Sequence, residues 1–133
     1  MPDKVTVLGF DFGMRRIGVA VGQGVTKTAT ALAVLKALDG VPDWNQIQAL
    51  IDQWAPYAFV VGLPYNMDGT EQVTTKAAKR FANKLQGRFN LPVHCIDERL
   101  TTVEARKLAK KDQPLDAIAA KLIAEAWLRE EKK

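Results

Sequence analysis

Cysteine and histidine are almost missing from this chain: Cys95 and His94 are the only ones, and they are neighbours. A lone cysteine excludes an internal disulfide and fits a reducing compartment such as the cytoplasm. One thiol and one imidazole cannot supply the ligands of a structural zinc site. No apolar run approaches the ~20 residues of a membrane-spanning helix. The start, Met1-Pro2-Asp3-Lys4, enters strand-like sequence at once, without the pattern of a signal peptide. Internal repeats, low-complexity tracts and linkers are lacking too. What remains is an ordinary globular composition, 47% hydrophobic and 26% charged, in a length that one domain, residues 1–133, can fold around a single core.

Charge is distributed unevenly. Residues 1–66 carry five basic and five acidic side chains, whereas residues 67–133 carry fourteen and ten, so the whole net charge of +4 lies in the second half. A polyanionic partner such as nucleic acid would meet that half, although composition alone favours a solvated surface.

Apolar patterning lays out the elements. Residues 5–11 and 17–21 read as two strands joined by a turn at 13–16, and 30–35 as a third. Pro42-Asp43 opens a helix whose Ile47, Leu50, Ile51 and Trp54 recur at helical spacing up to Pro56. Residues 58–61 form a buried strand, Asp68-Gly69 a turn, and Thr70 an N-cap for a helix reaching Leu85. A strand follows at 92–96. Thr101 to Glu104 is a capping box starting a third helix, and Pro114 suits the first turn of a last one. This β-β-β-α-β-α-β-α-α order implies an α/β fold with a mixed five-stranded sheet, antiparallel first and parallel later, flanked by helices. The ribonuclease H-like fold has that pattern.

Three acidic positions are out of place in such a layout. Asp11 interrupts apolar sequence at the end of the first strand, where an uncompensated carboxylate is costly. Asp97-Glu98 closes the last strand; alternation lets one of them, not both, face Asp11. Arg99 offers the acids a local ion pair, a weak reason for placing them there. Asp116 lies in a helix's first turn, favourable with the macrodipole, yet it continues the apolar stripe Ala119, Ala120, Ile123, Trp127. Acids converging from two strand ends and a helix start would crowd negative charge and call for a cation. Oxygen-only ligands select a hard one, Mg²⁺ or Mn²⁺, and such a site suits phosphodiester hydrolysis. Basic candidates for nucleic-acid contact are Arg15 and Arg16 in the first turn, Lys76, Lys79, Arg80 and Lys84 along one helix, and Arg99. The loop Gly62–Thr70 precedes a helix and could approach a phosphate, though a plain turn explains it. His94 reads as structural.

These motifs together resemble the YqgF (RuvX) family, the pre-16S ribosomal RNA nucleases related to Holliday-junction resolvases. The resemblance rests on Phe10-Asp11-Phe12-Gly13 with Arg16 to Ala20, Val61 to Pro64 with Asn66 to Thr70, Asp97 to Thr102, and Leu115 to Ala120. It implies a ribonuclease H-like fold, a catalytic, metal-binding triad of Asp11, Glu98 and Asp116, and so Glu98 rather than Asp97. It also implies a cytoplasmic role in maturing the 5′ end of 16S ribosomal RNA; a monomer or weak dimer is expected. Relatives carry a longer loop before the last acidic helix, where this chain has only Lys110 to Gln113. Three other readings compete: a resolvase of branched DNA, a non-catalytic RNA-binding assembly factor, and an actin-like ATPase, for which 133 residues leave too little room.

Overall fold

Six strands form one sheet in the order β4-β3-β2-β1-β5-β6. The computed structural model describes residues 5–100 and 115–130. Strands β1 (Thr6–Asp11), β2 (Arg16–Gln23), β3 (Thr28–Leu38) and β4 (Val41–Pro42) meander antiparallel, whereas β5 (Ala58–Leu63) and β6 (Val93–Asp97) join β1 in parallel. The expected change from antiparallel to parallel pairing is therefore observed. The sheet has six strands where five were expected. Asp39 and Gly40, both with positive φ (51° and 81°), turn β3 back on itself, so Val41–Pro42 pair with Leu38 and Ala37 before the helix begins. Asp-Gly is a favoured two-residue hairpin turn, and proline is tolerated on such an edge.

Helices α1 (Trp44–Trp54) and α2 (Val73–Phe89) cover one face and α3 (Leu115–Glu130) the other. Alternation along β1 feeds both layers. Leu8, Phe10 and Phe12 pack with Ile47 of α1 and Phe81 and Leu85 of α2; Phe10 and Phe81 meet edge to face at 5.5 Å. Val5 and Val7 pack with Ile123, Trp127 and Leu128 of α3. Asp43 caps α1 by accepting a hydrogen bond from Asn45 N at 2.9 Å, and Ala55 ends it in the left-handed region just before Pro56.

Helix α2 starts two residues later than the sequence suggests. The Thr70 backbone N–H and hydroxyl both donate to Asp68 Oδ1 (3.0 and 2.7 Å), so Thr70 belongs to the turn and Gln72 caps the helix in a box with Thr75. The capping box at 101–104 and Pro114 lie outside the described residues. Helix α3 is buried on almost every side, Glu125 included, whose carboxylate accepts from the Ala29 N–H at 2.9 Å and thereby ties the helix to β3.

Candidate active site

Val5, Val7 and Asp11 share the α3 side of β1, as period-two alternation requires, so Asp11 ends its strand facing the helix that carries Asp116. Its cross-strand partners on both sides are glycines, Gly18 of β2 and Gly62 of β5. Both glycines make room. A Cβ on Gly18 would lie 2.0 Å from the Asp116 carbonyl oxygen. One on Gly62 would lie 2.5 Å from Ile123 Cδ1 and 3.2 Å from Glu98 Oε1. The start of α3 thus settles onto β2, while Glu98 reaches over β5 towards Asp11.

Asp11 and Glu98 are joined by a side-chain hydrogen bond. Burial first, then that bond and the negative charges of Glu98 and Asp116, push the Asp11 carboxyl up from 3.8 to about 10. Asp116 is half-buried, and its Oδ2 accepts from Arg16 Nε at 3.1 Å. Asp11 therefore feels both of the other acids that the sequence singles out, and the three derive from β1, the 3₁₀ turn after β6 (Glu98–Leu100) and the first turn of α3.

Chemically this donor set fits Mg²⁺ or Mn²⁺. It is all carboxylate oxygen and crowded enough to protonate one member, and the flanking glycines let α3 and Glu98 come close to Asp11. Among the described residues, no three acidic, imidazole or thiol groups close around a common point as a ligand set. Instead Asp11 and Glu98 share a hydrogen bond and Asp116 is turned to Arg16, so one proton and one guanidinium offset part of the cluster's charge.

Asp97 goes elsewhere. Its carboxylate grips the Arg99 guanidinium, with Nη2 donating to Oδ2 at 2.6 Å and Nε to both oxygens at 3.1 and 3.0 Å. This pairing holds the Asp97 carboxyl below its usual range. Arg99, a candidate for phosphate contact, is thus engaged within the protein; its Nη1 also donates to the Asn66 and Met67 carbonyls at 3.3 and 3.2 Å.

The other basic candidates divide by face. Arg15 and Arg16 are exposed, and Arg16 reaches Asp116 of the acidic cluster. Lys76, Lys79, Arg80 and Lys84 are exposed on α2, across the sheet from α3, and the structure does not gather them with the acids. Lys79 pairs with Glu71. Arg80 and Lys84 border a small cleft with Phe12, Asp39, Gly40 and Phe81. His94 stacks on Trp127 with ring centroids 4.7 Å apart, the structural role its alternation suggests.

Residues 5–130 match the family described as "RuvX: Holliday junction resolvase". The chain belongs to the RuvX family. RuvX relatives include a "Putative pre-16S rRNA nuclease" of Coxiella burnetii (strain Dugway 5J108-111), 59% identical over 139 residues and covering 99% of both chains. A protein of the same name from Azotobacter vinelandii (strain DJ / ATCC BAA-1303) is 54% identical over 132 residues, covering 93% of each. The Coxiella alignment is longer than the 133 residues of this RuvX chain, so that relative carries residues absent here. Among solved structures, T. thermophilus RuvC in complex with Holliday junction substrate superposes with a TM-score of 0.63 at 16% identity. It covers 96% of this chain and 97% of its own. The Fowlpox virus resolvase in complex with Holliday junction DNA gives 0.59 at 13% identity, covering 97% and 100%. These likenesses establish the ribonuclease H-like, resolvase-type fold.

Two features of the site went unread in the sequence: the spacer role of Gly18 and Gly62, and the anchoring of Arg99. The glycines carry a signal, because an isolated glycine inside a strand marks a close backbone approach. The partners of Arg99 are 32 and 33 residues away in sequence and leave no local trace.

Proposed function

We propose that residues 1–133 form one metal-dependent endonuclease domain that hydrolyses phosphodiester bonds, with precursor 16S ribosomal RNA as its substrate and 5′-end maturation in the cytoplasm as its task. The observation that carries this is the meeting of Asp11, Glu98 and Asp116 over two glycines. Asp11, Glu98 and Asp116 would hold Mg²⁺ or Mn²⁺. When bound, the ion lowers the pKa of a coordinated water and neutralises charge growing on the phosphoryl oxygens. The chain's own residues set the stage. Asp11 and Glu98 would serve such an ion as carboxylate ligands in place of their mutual hydrogen bond, and Asp116 in place of its pairing with Arg16. Arg16, 69% exposed, would in that case be free to meet a substrate phosphate together with Arg15. The relatives' names support RNA as the substrate.

The family description favours one second reading, cleavage of four-way DNA junctions. Because a junction is two-fold symmetric, its resolvase acts as a dimer, whereas an RNA nuclease can act as a monomer. Incubating the protein and its Asp11→Asn, Glu98→Gln and Asp116→Asn variants with Mg²⁺ or Mn²⁺ and either substrate separates the readings. Cleavage of precursor RNA by wild type alone is the expected result. Symmetric cutting of the junction by a dimer would replace it with the resolvase reading. RNA binding without cutting by any form would leave a non-catalytic assembly factor.

A further inference from the structure

The hub of interactions around Arg99 has the form of a strut. Arg99 folds back over one residue: its backbone N–H and its Nε both donate to Asp97 Oδ1, at 2.9 and 3.1 Å, which closes a ring around Glu98. Nη2 grips the second oxygen of Asp97. Nη1 spans to the loop between β5 and α2, at the Asn66 and Met67 carbonyls, and the guanidinium lies 5.7 Å from the Tyr65 ring centroid. Every guanidinium nitrogen is engaged, in the forked, planar way that lysine cannot reproduce.

The far end of the strut is firm. In that loop Asn66 N donates to Thr70 O and Gly69 N to Asn66 O, each at 2.9 Å, and the Asn66 side chain donates to the Thr70 hydroxyl. Tyr65 and Glu71 close the loop's base as a bridge, and Glu71 pairs with Lys79 of α2. A continuous set of contacts therefore runs from α2 through the loop to Arg99, Asp97 and the backbone of Glu98. Glu98 needs it, because it stands just beyond the end of β6 in a single 3₁₀ turn, where the ladder of the sheet no longer fixes its direction.

We propose that Arg99 is a positioning residue, not a phosphate contact: with Asp97 it braces the 3₁₀ turn against the 66–70 loop and so aims the Glu98 carboxylate at Asp11. This rests on the metal-dependent reading of the triad. Supporting partners of metal-ligating groups typically matter ten- to a hundred-fold in metal affinity.

The test compares wild type with Arg99→Lys and Asp97→Asn, using Mn²⁺ alone as the probe. Mn²⁺ affinity is read from the rise in melting temperature on titration, and affinity for uncut precursor RNA is read separately without metal. Both variants should bind Mn²⁺ about ten-fold more weakly or worse, with RNA affinity unchanged. A phosphate-contacting Arg99 gives a different pattern: Arg99→Lys keeps its Mn²⁺ affinity, and Asp97→Asn, by releasing the guanidinium, binds RNA more tightly. That pattern overturns the proposal, as does Mn²⁺ affinity within two-fold of wild type in both variants. Failure of both variants to fold would make Arg99 a stability residue and overturn it equally. Wild type that neither binds Mn²⁺ nor cuts RNA would remove the metal reading itself, whereas wild type that does both beside unaffected variants removes only the strut.

Discussion

Asp11 is the residue whose chemistry most departs from its ordinary state. The folded chain holds its carboxyl protonated up to about pH 10, whereas the unfolded chain releases that proton near 3.8. The folded state thus binds the extra proton between those limits, and this group's contribution to stability falls steadily as pH rises through that window. Asparagine stays neutral at every pH. Metal-free Asp11→Asn should therefore melt above wild type at pH 8, with the gap narrowing towards pH 5, as thermal unfolding in a chelating buffer would show. A lower melting temperature at both values would assign Asp11 to a structural hydrogen-bond network instead. The glycines beside it are a second sensitive point. Gly18→Ala would drive a methyl into the Asp116 carbonyl, a backbone atom that cannot give way without moving α3. The expected loss is about 1–3 kcal/mol or more, together with loss of the melting shift produced by Mn²⁺. Gly87 lies on the exposed side of α2, where an added methyl would meet nothing within 4 Å. It gives the opposite sign: Gly87→Ala should stabilise by roughly 0.5–1 kcal/mol. Paired denaturant melts of the two variants check both.

Legibility differs between elements for physical reasons. Strand β1 announces itself because it is a short, nearly unbroken apolar run that a single acid ends. The last helix is equally clear, since the stripe from Asp116 to Trp127 leaves only one way to face the sheet; Ala119, Ala120, Ile123 and Trp127 are all buried there. The β3–β4 hairpin escaped because Pro42 stands next to Asp43, and a helix start overshadows a two-residue strand. Its Asp39-Gly40 signal is local and readable. Thr70 misled because threonine serves N-caps and Asx turns through the same hydroxyl, and only Asp68 two residues before decides between them. The choice between Asp97 and Glu98 was beyond periodicity altogether. Alternation ends at Asp97, and a 3₁₀ turn rather than a strand directs Glu98; the family resemblance supplied what spacing could not.

At the scale of the whole molecule, the acidic cluster and the basic residues of α2 lie on different faces of the sheet. The carboxylates lie where α3 meets the strand ends, and the lysines and arginines of α2 lie across the sheet. Lys79 is already matched by Glu71 and Arg88 lies over Trp44, 4.6 Å from its centroid. Arg80 and Lys84, at the cleft beside Gly40, are better placed to meet a phosphate backbone. Replacing both with alanine should reduce the slope of log affinity against log salt by about one to two for RNA, leaving the Mn²⁺ melting shift unaltered. Filter binding at several salt concentrations reads the slope; an unchanged slope would make that helix a solvated surface only.

Synthesis runs from the N-terminus, and that order has a consequence for the division of the acidic cluster. Asp11 and Glu98 sit on segments that can pair as soon as the sheet is made, but Asp116 arrives with α3, the last of the described elements. Until that helix has emerged, the sheet surface bearing Val5, Val7 and Val60 has no cover, and the proposed site lacks one of its three acids. The last described helix thus covers the core and brings the third acid of the proposed site in the same event.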